Sequence, residues 1–158
     1  MFRIRLLSLC MLLGVAIPTA RPASAADVAA LVDPVVGKLH EKVMRFFDRI
    51  ASGEENAAFT DLLLGSQLPE QAGAVKGLVD KSKEIISRYG ARRDSEQISA
   101  KRIGKDLVLL KYLFKCEKFP VVWYFIYYRD FARVTPASDD HWVVISVRFD
   151  TQVELLGY

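Results

Sequence analysis

A single change of hydrophobic period, at Gly90, constrains this chain more than any other feature of its sequence. Before Gly90 apolar residues recur every three or four positions, the repeat of an amphipathic helix. After it they alternate, the repeat of a half-buried strand. A chain that makes this switch once folds as a helical half followed by a strand half. The class is α+β.

In the helical half, Asp33-Pro34 reads as an N-cap followed by proline at the first helical position. From there Val35, Val36, Leu39, Val43, Phe46, Phe47 and Ile50 form one apolar stripe. Ser52 and Glu55 have the spacing of a capping box and open a short helix. That helix turns Ala58, Phe59, Leu62 and Leu63 inward and ends at Gly65. Pro69 opens a third, with Ala72, Val75, Leu78, Val79, Ile85, Ile86 and Tyr89 on its inner face and Gly90 as its C-cap.

In the strand half, alternation predicts strands over 96–103, 107–117, 121–129 and 141–151, mostly antiparallel. Val108, Leu110, Tyr112, Phe114 and Cys116 share one face of the second strand, and Lys111 and Lys115 the other. In the fourth, Val143, Ile145, Val147 and Phe149 alternate with Ser146 and Arg148. Burial fixes register, because a slip of one residue turns a whole face to solvent. A three-residue turn at Gly104 sets Ile98 and Ala100 opposite Tyr112 and Leu110. The turn at Phe119-Pro120 then puts Val121, Trp123, Phe125 and Tyr127 on the same inner face.

The third strand is apolar on both faces. Phe119 to Tyr128 carries no charge, and six of its ten residues are aromatic. Its outer face, Val122, Tyr124, Ile126 and Tyr128 joined by Leu113, is too apolar to leave in water. It is the candidate face of a homodimer, with Lys111 and Lys115 at the rim. The competing cover is the C-terminal segment Val153 to Tyr158, or a helix of the same chain.

The chain opens with a short basic start, an apolar run from Leu6 to Pro18 and the small-x-small site Ala23-Ser24-Ala25. These are the three parts of a secretory signal, so 1–25 reads as a cleaved leader and 26–158 as one domain, periplasmic or extracellular. The apolar run, about 13 residues, is too short for a membrane helix of roughly 20. Arg3, Arg5 and Arg21 lie in the leader. Taking them from the 22 basic residues leaves 19, against 19 acidic ones. The balance gives no basic footprint for nucleic acid. Cys116 is the one cysteine left after cleavage, so no internal disulfide forms, and its apolar phase marks it as buried and inert.

Particular stretches carry a resemblance: "VMRFFDRIASGEENAAF" in the first helix, "IISRYGA" at the end of the third, the hairpin "SAKRIGKDLVLLKYL" and the closing strand "HWVVISVRFD". Three helices followed by a meander of long strands resembles the nuclear transport factor 2-like superfamily, over residues 35–151. The resemblance implies a strongly curved sheet wrapped as a cone around the helices, often with a pocket at the open end and often dimeric through the outer sheet face. Many members bind small molecules and others are enzymes.

Superfamily enzymes work with acids, bases and tyrosine donors inside the cone. Here the inward strand positions offer Tyr112, Trp123, Phe125 and Tyr127, with Cys116, and no carboxylate or histidine. Tyrosine, with a pKa near 10, donates a proton more readily than it abstracts one. These four residues are the candidate lining of an aromatic core or pocket. His40 reads as a boundary or solvent histidine. "SDDHW" gathers Asp139, Asp140 and His141, but three adjacent turn residues rarely converge on one metal ion. Arg92-Arg93 reads as a solvated loop. No cofactor is implied. The leading reading is an exported, non-catalytic binding or interaction module with an apolar small-molecule ligand. The alternatives are a small lyase or isomerase, and a structural subunit of an envelope complex. If the leader is cleaved, N-terminal sequencing of the exported protein should begin at Ala26 or Asp27; an intact Met1 on a membrane-bound product would contradict this.

Overall fold

The first helix is where sequence and structure meet most directly. In the computed structural model, which describes residues 33–68, 72–130 and 141–152, helix α1 spans Pro34–Ala51. Asp33 caps it, its Oδ1 accepting the Val35 N–H at 2.9 Å. Val36, Leu39, Val43, Phe46, Phe47 and Ile50 are buried, the stripe that the period marks. Helix α2 spans Glu55–Leu62 and α3 spans Ala72–Tyr89. The leader, Pro69, Asp139, Asp140 and Val153–Tyr158 lie outside the described residues.

Four antiparallel strands follow, paired in chain order: β1 Arg92–Ile103, β2 Leu107–Cys116, β3 Pro120–Arg129 and β4 Trp142–Asp150. The sheet is open, and the helices pack on one face of it around a single apolar core. At the helix-to-strand switch Gly90 has φ +88°, a left-handed conformation that other residues adopt at a cost. A β-carbon there would also stand 2.6 Å from Glu117 Oε2.

Adjacent rings on α1 join the layers. The Phe46 ring lies 5.4 Å from Trp123 and 5.0 Å from Phe59, so it links α2 to β3. Phe47 lies 5.6 Å from Tyr112 and 5.2 Å from Phe114, on β2. Both stand 5.8 Å from Phe125, most of these pairs meeting edge to face. Polar ties flank the rings. Arg102 on β1 holds the capping Asp33 at 2.6 Å, and Arg92 at the other end of β1 holds Asp48 at 2.5 Å.

Several expectations are corrected. Ser52 opens no capping box: its Oγ donates back to Asp48 O at 3.0 Å and it ends α1, while α2 starts after Glu54 without a side-chain cap. Arg92 and Arg93 belong to β1, not to a loop, and Arg92 also lies over the Phe114 ring. In β1, Gln97 pairs with Tyr112 and Ser99 with Lys111, so Ile98 is an extra, bulged residue turned to solvent instead of packing opposite Tyr112. In β4 a second bulge falls at Ile145, because Ser146 pairs with Ile126 and Val144 with Tyr127. The phase inverts there. Trp142 and Val144 are buried, while Val143 and Ile145 leave the core face.

Replacing Phe47 by alanine should cost about 3–5 kcal/mol, the range for a buried ring. Ile98→Ala should cost under about 0.5 kcal/mol, as for an unconstrained surface site. Urea unfolding of the two variants checks the contrast, and similar losses would contradict the bulge.

Candidate functional site

Of the four inward aromatics, three sit in a filled interior. Tyr112, Trp123 and Phe125 have no solvent exposure, and the rings of Phe46, Phe47 and Phe149 close on them. Trp123 Nε1 is buried there with no hydrogen-bond partner among the described residues. Cys116 ends the same row. Its burial, reinforced by the Glu117 charge, pushes the thiol pKa up. That is the setting of an inert cysteine.

A polar site opens within this interior because of the Ile98 bulge. The bulge brings Gln97 onto the inner face, where its Oε1 accepts the Tyr112 hydroxyl proton at 3.0 Å. His40 Nδ1 lies 3.0 Å from the same oxygen and 3.1 Å from Tyr112 Oη, and its ring stacks on that of Tyr112. An acceptor at Oε1 requires the proton on Nδ1, so in the neutral ring Nε2 is the free acceptor. His40 is therefore a boundary histidine, as the sequence allows, and part of a partly buried network with Gln97 and Tyr112. Strict alternation hid this group, since it assigns the inward place to Ile98.

The fourth aromatic, Tyr127, is buried in the same core but also reaches a cleft. With Trp142 and Phe46 it lines a cleft of about 580 Å³ between α1, the end of α2 and the adjoining ends of β3 and β4. Ala58 and Leu62 extend the apolar wall, and Leu64 stands on the lip, 80% exposed. Lys42, Arg45 and Arg49 line the α1 side. They follow the helical repeat, three and four residues apart, so one side of α1 presents all three. Arg49 is bound to Asp61 at 2.8 Å. Across the cleft are Asp130 and His141, whose backbone bond, Asp130 N–H to His141 O at 2.8 Å, closes the base of the β3–β4 hairpin. Trp142 is held from behind by Arg102, 5.7 Å from its ring. The same arginine grips the α1 cap.

The loop after α2 borders the cleft and seals part of the β4 edge. Ser66 Oγ donates to Val144 O at 2.5 Å and accepts the Leu68 N–H at 3.0 Å. A side-chain bond to an edge carbonyl blunts one position at which another strand would pair. A second groove of about 300 Å³, lined by Leu68, Tyr128 and Ile145, shares Gly65, Asp130 and Val143 with the first.

On the outer face the candidate dimer residues separate. Val122 is wholly buried within the chain, and Leu113, Tyr124 and Ile126 are half-buried. Tyr124 is covered by Lys111 at 5.5 Å and Arg148 at 4.4 Å from its ring. Lys115 is engaged by Glu96 at 2.6 Å and Asp94 at 3.2 Å. Tyr128 is exposed, and the β4 bulge sets Val143 beside it and Ile145 close by. The open apolar surface thus lies at the Tyr128 end of the face.

Among the described residues no group of three or more histidine, cysteine or acidic side chains could hold a metal ion, and no helix is long and apolar enough to cross a membrane. Comparison with protein-family models, with curated proteins and with solved structures found no match to this chain.

Burial holds the Tyr112 pKa above its ordinary value. Its folded pKa exceeds its unfolded one, so its contribution is intact below about pH 10 and is lost as pH rises beyond that. Tyr112→Phe should cost about 1 kcal/mol at neutral pH. It should then lose less stability than the parent between about pH 9 and 11. Urea midpoints across that range check this; parallel curves would contradict it.

Proposed function

We propose that the protein is an exported, non-catalytic binding module that takes a small molecule in the cleft floored by Phe46, Tyr127 and Trp142. The observation that carries this reading is the cleft itself: Phe46, Tyr127 and Trp142, all buried in the core, also line it, while Trp123 and Phe125 do not reach it. About 580 Å³ falls within the usual range of small-molecule sites, roughly 300–1,000 Å³. Phe46, Leu62, Tyr127 and Trp142 give it apolar surface, and Lys42, Arg45, Arg49, Asp61, Asp130 and His141 make the rest of its lining polar, more so than most such sites. The order of three helices and an antiparallel meander supports the likeness to the nuclear transport factor 2-like superfamily.

Native mass spectrometry of protein purified from its own host should show a retained mass that is released on denaturation. Leu62→Trp, which fills the cleft, should lose that mass while keeping the parent's circular dichroism. Leu64→Arg at the exposed lip gives a second variant that leaves the core untouched. Retention unchanged in both variants would refute the cleft as the site.

A second reading concerns partners. The cluster Tyr128, Ile145 and Ile103, exposed at 42, 43 and 45%, favours self-association through the Tyr128 end of the outer sheet face. Sedimentation equilibrium at micromolar concentration should give a dimer mass, and a monomer mass in Tyr128→Glu/Ile145→Lys. A parent that is already monomeric would refute it.

A further inference from the structure

We infer that the ligand of the cleft is an anionic amphiphile, an elongated apolar body ending in a carboxylate or phosphate group; this rests on the reading of the cleft as a binding site. The charged side of the cleft is built unequally. Lys42, Arg45 and Arg49 face two lining carboxylates, Asp61 and Asp130. Arg49 and Asp61 already satisfy each other at 2.8 Å. Arg45 makes no ion pair among the described residues, and its neighbour in sequence is Phe46, whose ring floors the cleft. A guanidinium without an ion pair among the described residues, lining the same cleft as an aromatic floor, suits a ligand that brings an anion and apolar bulk together. Arginine pairs with carboxylate or phosphate through two parallel hydrogen bonds.

The apolar side has length as well as width. The main cleft and the smaller groove share Gly65, Asp130 and Val143 as lining, so the two hollows adjoin, Arg45 lining the first and Leu68, Tyr128 and Ile145 the second. Gly65, at φ +81°, turns the backbone where they adjoin without placing a side chain there. Leu64, 80% exposed on the lip, is apolar surface that a chain lying across them would cover. A compact polar metabolite would leave these surfaces wet. A neutral apolar one would leave Arg45 unanswered.

Isothermal titration of the purified protein with dodecanoate and dodecyl phosphate, each below its micelle concentration, and with dodecanol below its solubility limit tests the inference. Both anions should bind one to one and about tenfold more tightly than dodecanol, the scale of a charge-assisted contact at a partly wet site. Arg45→Gln should remove most of that advantage and leave dodecanol affinity unchanged. The preferred head group then separates carboxylate from phosphate chemistry. Dodecanol binding as tightly as the anions, or an advantage that survives Arg45→Gln, overturns the inference. In that event, dodecanol binding that Leu62→Trp abolishes keeps the cleft as a site. Binding of none of the three overturns the inference as well, and the retained mass judges the cleft on its own.

Discussion

The insertion of two neighbouring rings, Phe46 and Phe47, into the face of the sheet is the contact on which the rest of the structure depends. Because they are adjacent on one helix they diverge, one toward β3 and α2, the other toward β2. A single turn of α1 therefore fixes the distance between helix and sheet and the lateral position of both central strands. Aromatic contacts alone permit sliding, since edge-to-face packing tolerates a range of offsets. The polar ties restrict it. Asp33, His40 and Asp48 on α1 meet Arg102, Gln97 and Arg92 on β1, so the helix is registered against the edge strand at both ends and in the middle. The ion pairs at the two ends are partly wet and worth little singly. Their use is to choose one register among several that the core would accept.

Much of this was legible in the residues. The α1 stripe, the Asp33 cap, the switch at Gly90 and the alternation of β2 follow from periodicity alone, and the β2–β3 register follows from burial. What escaped was wherever one inserted residue breaks a period. Ile98 is the large apolar residue in the middle of an otherwise polar β1, so alternation assigns it to the core; the bulge excludes it and admits Gln97. Ile145 does the same to β4. A bulge leaves no compositional mark in a single sequence, and its evidence lies in the partner strand. The cations of α1 were readable in principle, as Lys42, Arg45 and Arg49 share one side of the helix. What was not readable is that the ends of β3 and β4 stop short of them and leave a cavity.

These departures are also where the candidate functional surface arises. The β4 bulge turns Trp142 inward, to border the cleft, and Val143 outward, where it also lines the outer groove. Without the bulge the phase set by Val147 and Phe149 would send Val143 to the core and Trp142 to solvent. The same bulge sets Val143 beside Tyr128 and makes the outer face most apolar at that end. One extra residue thus shapes both the candidate ligand cleft and the candidate contact between copies. Phe125 and Tyr127 are both buried in one aromatic row, and the division in that row is that Tyr127 lines the cleft while Trp123 and Phe125 do not.

That division is the central claim, and the indole proton of Trp123 reports on it directly. It is buried without a hydrogen-bond partner among the described residues, so only packing shields it from water. Hydrogen exchange followed by nuclear magnetic resonance should find this proton exchanging as slowly as the most protected backbone amides, through global unfolding. Exchange at the rate of a local opening, while the β2 and β3 amides stay protected, would contradict the account. The inner face would then be a pocket reaching Trp123 and not a closed core that meets the cleft only at Tyr127.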